Sequence, residues 1–60
     1  MENIKIPKSL NYDDIHNIAS EAKEKLKEVN PETLSQASRI SGVNPSDITL
    51  ILMYIRSKKW

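Results

Sequence analysis

Ser35, Gln36, Ser38 and Arg39 fall within one short stretch of this 60-residue sequence. Gln36 and Arg39 stand three apart, so on a helix they share a face, with the two serines beside them. Hydroxyls, an amide and a guanidinium together can grip an RNA backbone or an exposed base, or a polar patch on a protein. The plainer alternative is that Arg39 pairs with a local carboxylate and the serines only keep the helix soluble. Lys23 and Lys27, four apart, form a modest cationic strip that also reads as a solvated face.

Catalytic chemistry finds little to work with. His16 is the single histidine, and there is no cysteine, so no metal-ligand spacing can be assembled around it. Asp13 and Asp14 are adjacent; on a helical turn neighbours face apart, so they read as capping residues rather than a catalytic pair. The serines lack an evident base and a strand-turn-helix elbow. There is no glycine-rich phosphate loop, Gly42 being the one glycine. Independent catalysis is not expected, and no metal or cofactor site is expected in these residues. Nine cations against eight anions leave a net charge of +1, which gives no broad electrostatic drive toward nucleic acid or membrane. The apolar run Leu50 to Ile55 is far short of the roughly 20 residues that span a bilayer.

The elements that must position these residues follow from pattern. Met1 to Asn11 reads as an extended lead or linker, Ile4 and Ile6 alternating with polar residues and Pro7 disfavouring helix before it. Asp13 to Asn17 reads as a short helical turn that points Tyr12 and Ile15 inward. A first helix is expected from about Ala19 to Val29, with Ile18, Ala22, Leu26 and Val29 as one apolar stripe and Glu21–Lys25 paired opposite. Asn30-Pro31 reads as an N-cap with proline at the first helical position, starting a second helix from Pro31 to Ser41. Leu34, Ala37 and Ile40 form its inner side, and Gly42 is its left-handed terminal residue. Asn44-Pro45, with Asp47 behind them, repeat the N-cap device and start a third helix from Pro45 to Ser57. Arg56, Lys58 and Lys59 gather at its C-terminal end, where cations are favoured. An all-α fold results: three helices, a short N-terminal helical turn and an extended lead over residues 1–11, with a helical domain over 12–60.

The third helix is unusual, because Thr49 is its only polar residue between Ile48 and Ile55. Ile48, Ile51, Leu52 and Ile55 form one stripe, while Leu50, Met53 and Tyr54 spread over the rest of the circumference. A helix apolar all round expects cover on all sides. Either Ile4 and Ile6 of the lead supply it, or Leu50, Met53 and Tyr54 form a docking patch for another chain. The stretch Ala37 to Leu52 also has the outline of a DNA-binding helix-turn-helix. Its second helix, however, lacks Lys or Arg from Pro45 to Ile55 and carries Asp47, whereas phosphate contacts dominate such affinity.

Gln36-Ala37-Ser38-Arg39-Ile40-Ser41-Gly42-Val43-Asn44-Pro45, followed by Ile48, closely resembles a known signature. With Ile6-Pro7, Tyr12, Ile15, Glu21, Lys25-Leu26 and Pro31-Glu32-Thr33 at matching offsets, the chain resembles the C-terminal domain of the GidA (MnmG) family, over nearly its whole length. Departures are Asn17 for a usual Gly, Ala19 for Ser, Asn30 for Arg, Ser35 for Gly and Asp47 for Ala. The resemblance implies a much longer FAD-dependent, NADH-using enzyme that installs carboxymethylaminomethyl groups on the wobble uridine of certain tRNAs. It implies a homodimer working with a partner GTPase of the MnmE family, in the cytoplasm, with no membrane span. This domain would be a fragment without FAD of its own, serving as a helical binding module for the GTPase or tRNA. On that reading Ser35, Gln36, Ser38 and Arg39 make polar contacts, Leu50, Met53 and Tyr54 dock, and Pro31, Gly42, Asn44 and Pro45 fix helix ends. The rival readings are a helix-turn-helix DNA binder and a purely structural helical cap.

Overall fold

Asparagine sets helix boundaries in this chain in two opposite ways. The computed structural model describes residues 4–58. Met1 to Asn3 of the expected lead and Lys59 of the C-terminal cation group lie outside the described residues. The elements are a single 3-10 turn at Tyr12–Asp14, α1 at Ser20–Val29, α2 at Leu34–Ser38 and α3 at Pro45–Ser57. The fold is all-α, as the sequence implies, with no strand among the described residues and one isolated antiparallel bridge between Lys5 and Thr33.

The 3-10 turn is capped by Asn11, whose side chain accepts from the Asp13 N–H at 3.0 Å. It buries Tyr12, and Ile15 just beyond it is also buried. α1 then presents Ala22 and Leu26 inward, with Ile18 just ahead of it. Val29 departs from the expected stripe: it is 54% exposed, at the last position of the helix, where Asn30 turns the chain away. Asn30 adopts a left-handed conformation, φ 53° and ψ 60°, and its N–H closes α1 on Leu26 O at 2.8 Å. Asparagine tolerates that region better than most residues.

The expected N-cap role of Asn30 and the expected first-turn role of Pro31 are therefore both corrected. Pro31 is buried and follows the end of α1, a common place for a residue that cannot continue a helix. The chain next runs beside the lead: Ile6 N–H donates to Glu32 O at 2.8 Å, and Leu34 N–H donates to Ile4 O at 2.9 Å. Because residues 32–34 are engaged in this pairing, α2 begins only at Leu34 and is five residues long, not the span from Pro31 to Ser41. Its N-cap is Thr33, whose side chain accepts from the Gln36 N–H.

α2 packs on α3, and α1 packs on the 3-10 turn. The core joins both pairs through Tyr12, Ile15, Ile18, Ala22, Leu26, Leu34, Ala37, Val43 and Ile51. Ile4 and Ile6 pack against it from the lead, and Ile4 also lies beside Pro45, Ile48 and Leu52 of α3. Asn44 begins α3 as expected, with Pro45 at its first position, and Asp47 returns to accept the Asn44 N–H at 3.1 Å.

Gly42 has φ +98°, a left-handed conformation as expected, although α2 has already ended four residues earlier at Ser38. A β-carbon at Gly42 would lie 3.3 Å from Glu21 Cδ. That neighbour is the end of an exposed, flexible side chain and can give way, so the backbone conformation sets most of the cost. Gly42→Val is expected to destabilise by about 1 kcal/mol or more, a β-branched residue being disfavoured at positive φ. Equal melting temperatures for the two proteins would refute this.

Candidate functional site

α2 is short, and much of its polar chemistry is spent on holding it together. The Thr33 hydroxyl accepts from Gln36 N–H at 3.2 Å, and the Gln36 side-chain oxygen accepts from Glu32 N–H at 2.8 Å. These reciprocal bonds form a variant of the capping box, in which orphan donors at a helix start are satisfied by side chains. The Ser38 hydroxyl donates back to Ser35 O at 2.7 Å. Arg39 is exposed, at the end of α2, and makes no ion pair among the described residues. The local carboxylate partner considered for it is thus not found there. Of the four polar candidates, Arg39 is the one whose charged group is left to face outward.

Ser35 and Ser38 also line a groove of about 370 Å³ with Ile4, Leu34, Pro45, Ile48 and Leu52. Pro45, Ile48 and Leu52 recur at helical spacing along α3, and Leu34 comes from α2. The sequence pattern assigned Ile48 and Leu52 to the buried stripe; Ile51 is fully buried, whereas Ile48, Leu52 and Ile55 are only partly so. The reason is that α2 is too short to cover the whole of α3, and Ile4 supplies only part of the rest. This groove was not anticipated.

Leu50, Met53 and Tyr54 share another face of α3. Leu50 and Tyr54 are partly buried against the core, whereas Met53 is 61% exposed. Lys58 places its ammonium 5.1 Å from the centre of the Tyr54 ring. The Tyr54 hydroxyl beside it holds the Lys58 pKa above the ordinary lysine value. The face is therefore an apolar patch with a cation at its C-terminal edge.

The anticipated cationic strip is neutralised in part. Lys27 Nζ donates to both oxygens of Asp13, at 2.7 and 2.8 Å, and Lys23 Nζ lies 3.8 Å away. The 3-10 turn thus uses Asp13 to clamp α1. Glu21, expected to pair with Lys25, lies beside Gly42. His16 is exposed, and no group of three or more His, Cys, Asp or Glu with metal-binding geometry occurs among the described residues.

The Lys27 hydrogen bond holds the Asp13 carboxyl below its usual range, with the charges of Lys27 and Lys23 adding to the effect. A carboxyl whose folded pKa is depressed contributes stability above its unfolded pKa and loses it as pH falls through the folded value. Asp13→Asn is expected to lower the melting temperature at neutral pH. The gap from the unsubstituted chain should close as pH falls below about 4. A gap independent of pH would show that the clamp is not ionic.

The comparisons with known proteins agree with this geometry. A family model described as the tRNA modifying enzyme MnmG/GidA C-terminal helical bundle matches residues 1–60. The tRNA uridine 5-carboxymethylaminomethyl modification enzyme MnmG of Mycoplasmopsis synoviae is 54% identical over 59 residues, covering 98% of this chain and 10% of that protein. Its counterpart in Streptococcus sanguinis is 53% identical over 58 residues, covering 97% and 9%. The crystal structure of Aquifex aeolicus GidA superposes with a TM-score of 0.84 at 47% identity, over 88% of this chain and 9% of that one. The chain therefore spans about a tenth of the length of the curated relatives it matches. A helical bundle of this shape, matched end to end at this identity, belongs to the MnmG/GidA C-terminal helical bundle family.

Proposed function

We propose that this chain is the helical binding module of a tRNA wobble-uridine modifying flavoenzyme, contacting a partner GTPase and tRNA and performing no chemistry itself. The observation that carries the reading is the apolar outer face of α3, where Met53 is 61% exposed beside Leu50 and Tyr54. Exposed apolar surface of this kind favours association with another protein. That face is assigned to the GTPase of the MnmE family. Arg39 is assigned to tRNA, since a guanidinium free of local carboxylates suits phosphate or an exposed base. Ser35, Gln36 and Ser38 keep spare acceptor or donor capacity and would frame that contact.

FAD and NADH belong to the remainder of the longer enzyme on this reading. The residues here do not fit a dinucleotide: the lone glycine sits in a turn between helices, against the Glu21 side chain, and opens no backbone cradle for phosphate. No helix among the described residues is long and apolar enough to cross a membrane. On this reading the longer enzyme is a tRNA-modifying homodimer acting in the cytoplasm. The helix-turn-helix alternative gains nothing from the geometry, since α2 has five residues and α3 carries no Lys or Arg before Arg56.

Met53→Glu is expected to weaken GTPase capture at least tenfold while leaving the helical circular dichroism unchanged, because a charge would be pressed into an apolar contact. Arg39→Ala is expected to weaken tRNA binding about three- to tenfold and to make it less sensitive to salt. A folded chain that retains neither the GTPase nor tRNA would leave only the structural-cap reading.

A further inference from the structure

Two backbone bonds join the lead to the body among the described residues, Ile6 N–H to Glu32 O at 2.8 Å and Leu34 N–H to Ile4 O at 2.9 Å. The second does more than hold the lead in place. Leu34 opens α2, and the first N–H groups of a helix have no partner within it. Ile4 O thus satisfies one of these donors, as the Thr33 hydroxyl satisfies the Gln36 N–H. The Ile4 side chain also lines the groove together with Leu34. Five residues form too few internal bonds to persist alone, so α2 depends on supports from outside itself.

The rest of the bundle has ties that use neither the lead nor α2. Asp47 accepts from the N–H groups of Ala19 and Asn44, which joins the starts of α1 and α3. Asp13 clamps Lys27 of α1, and Ile15, Ala22, Leu26 and Ile51 supply core from the 3-10 turn, α1 and α3. The lead is held more lightly. Ile4 and Ile6 are only half-buried, and a cleft of about 730 Å³ is lined by Lys5, Ile6, Pro7 and residues 30–33. Tyr12 lines it too, and its buried hydroxyl has no hydrogen-bond partner, so it gives the lead no polar anchor. Leu34 and Ala37 are buried, so opening α2 has a cost and the open form is a minor one in the free chain.

We infer that residues 4–6 act as a strap: seated, they order α2 and fix Arg39 at its end; withdrawn, they let α2 open while the 3-10 turn, α1 and α3 stay folded. Openings confined to one supersecondary unit are a general property of folded chains. A bundle at the C-terminal end of a longer chain is joined to it through its opening residues, so the strap is where the position of the remainder would be felt. Only the consequence for Arg39 rests on the proposed tRNA contact.

The test is native-state amide exchange followed residue by residue by NMR, on the 60-residue chain and two variants. Ile6→Pro removes the donor to Glu32 O, and Ile4→Ala trims the side chain in the groove while keeping the backbone bond. In the unsubstituted chain the Ala37, Arg39 and Ile40 amides are expected to exchange at least about tenfold faster than those of Leu26 in α1 and Ile51 in α3. Each variant is expected to speed the first set about five- to tenfold, the effect of one lost hydrogen bond or a few lost buried methylenes, and the second set less than about twofold. Ile4→Ala gives the same reading should the proline variant not fold. Variants that speed both sets alike would make the bundle one cooperative unit and overturn the strap, as would α2 amides that neither variant changes. No tRNA is present in the measurement, so its outcome is separate from whether Arg39 binds RNA.

Discussion

The carboxylate of Asp47 is where the two halves of this bundle are tied. It is 3% exposed, one of its oxygens takes the Asn44 N–H, and the other takes the Ala19 N–H at 3.4 Å. The first bond fixes the start of α3 and the second reaches the residue that opens α1. Since α1 packs on the 3-10 turn and α2 packs on α3, this side chain links the two packing pairs with directional bonds as well as apolar contact. A buried carboxylate is stable only when it is hydrogen-bonded, and here one residue meets that need while capping a helix. Gly42, Glu21 and Val43 lie close to the same junction, so the tight turn before α3 and the start of α1 depend on one another.

With that junction fixed, the surfaces sort themselves by what α2 fails to cover. Five residues of helix bury Leu34 and Ala37 but leave Ile48 and Leu52 lining a groove, with Ser35 and Ser38 on its rim. α3 therefore has three sides. One is buried through Asp47 and Ile51, one is half covered by the lead and α2, and one carries Met53 outward with Leu50 and Tyr54 partly buried beside it. The polar residues of α2 divide in a similar way, Gln36 and Ser38 serving the helix itself and Arg39 facing solvent.

Much of this was legible in the sequence, and the exceptions have physical causes. The inward pointing of Tyr12 and Ile15, the first and third helices, the left-handed Gly42 and the Asn44-Pro45 start all follow from local rules of periodicity and capping. Asn30-Pro31 misled because asparagine is favoured both before a helix and, left-handed, after one. The choice was made by a distant partner, the Ile4 to Ile6 segment, which claims residues 32–34. Thr33-x-x-Gln36 was the local signal of the true start, and it also marks Gln36 as a capping residue before any binding role. Asn17, at φ 70°, occupies a position where glycine would be at ease. The groove at Ile48 and Leu52 was not legible, since helical spacing states which residues share a side and not how long the covering helix is. The orphaned Tyr12 hydroxyl depends on three-dimensional surroundings that no spacing encodes.

The bridge between Lys5 and Thr33 joins positions 28 apart in the chain, 33 less 5. Helical bundles ordinarily gain speed in folding from local contacts, whereas closing a long loop costs entropy before any contact rewards it. Here the brief α2 has no local route to persistence, because isolated helices need about 12 residues or more to be even marginal in water. Its formation is coupled to arrival of the opening segment from the far end of the sequence. In this all-helical chain the shortest helix thus depends on a pairing that is distant in sequence.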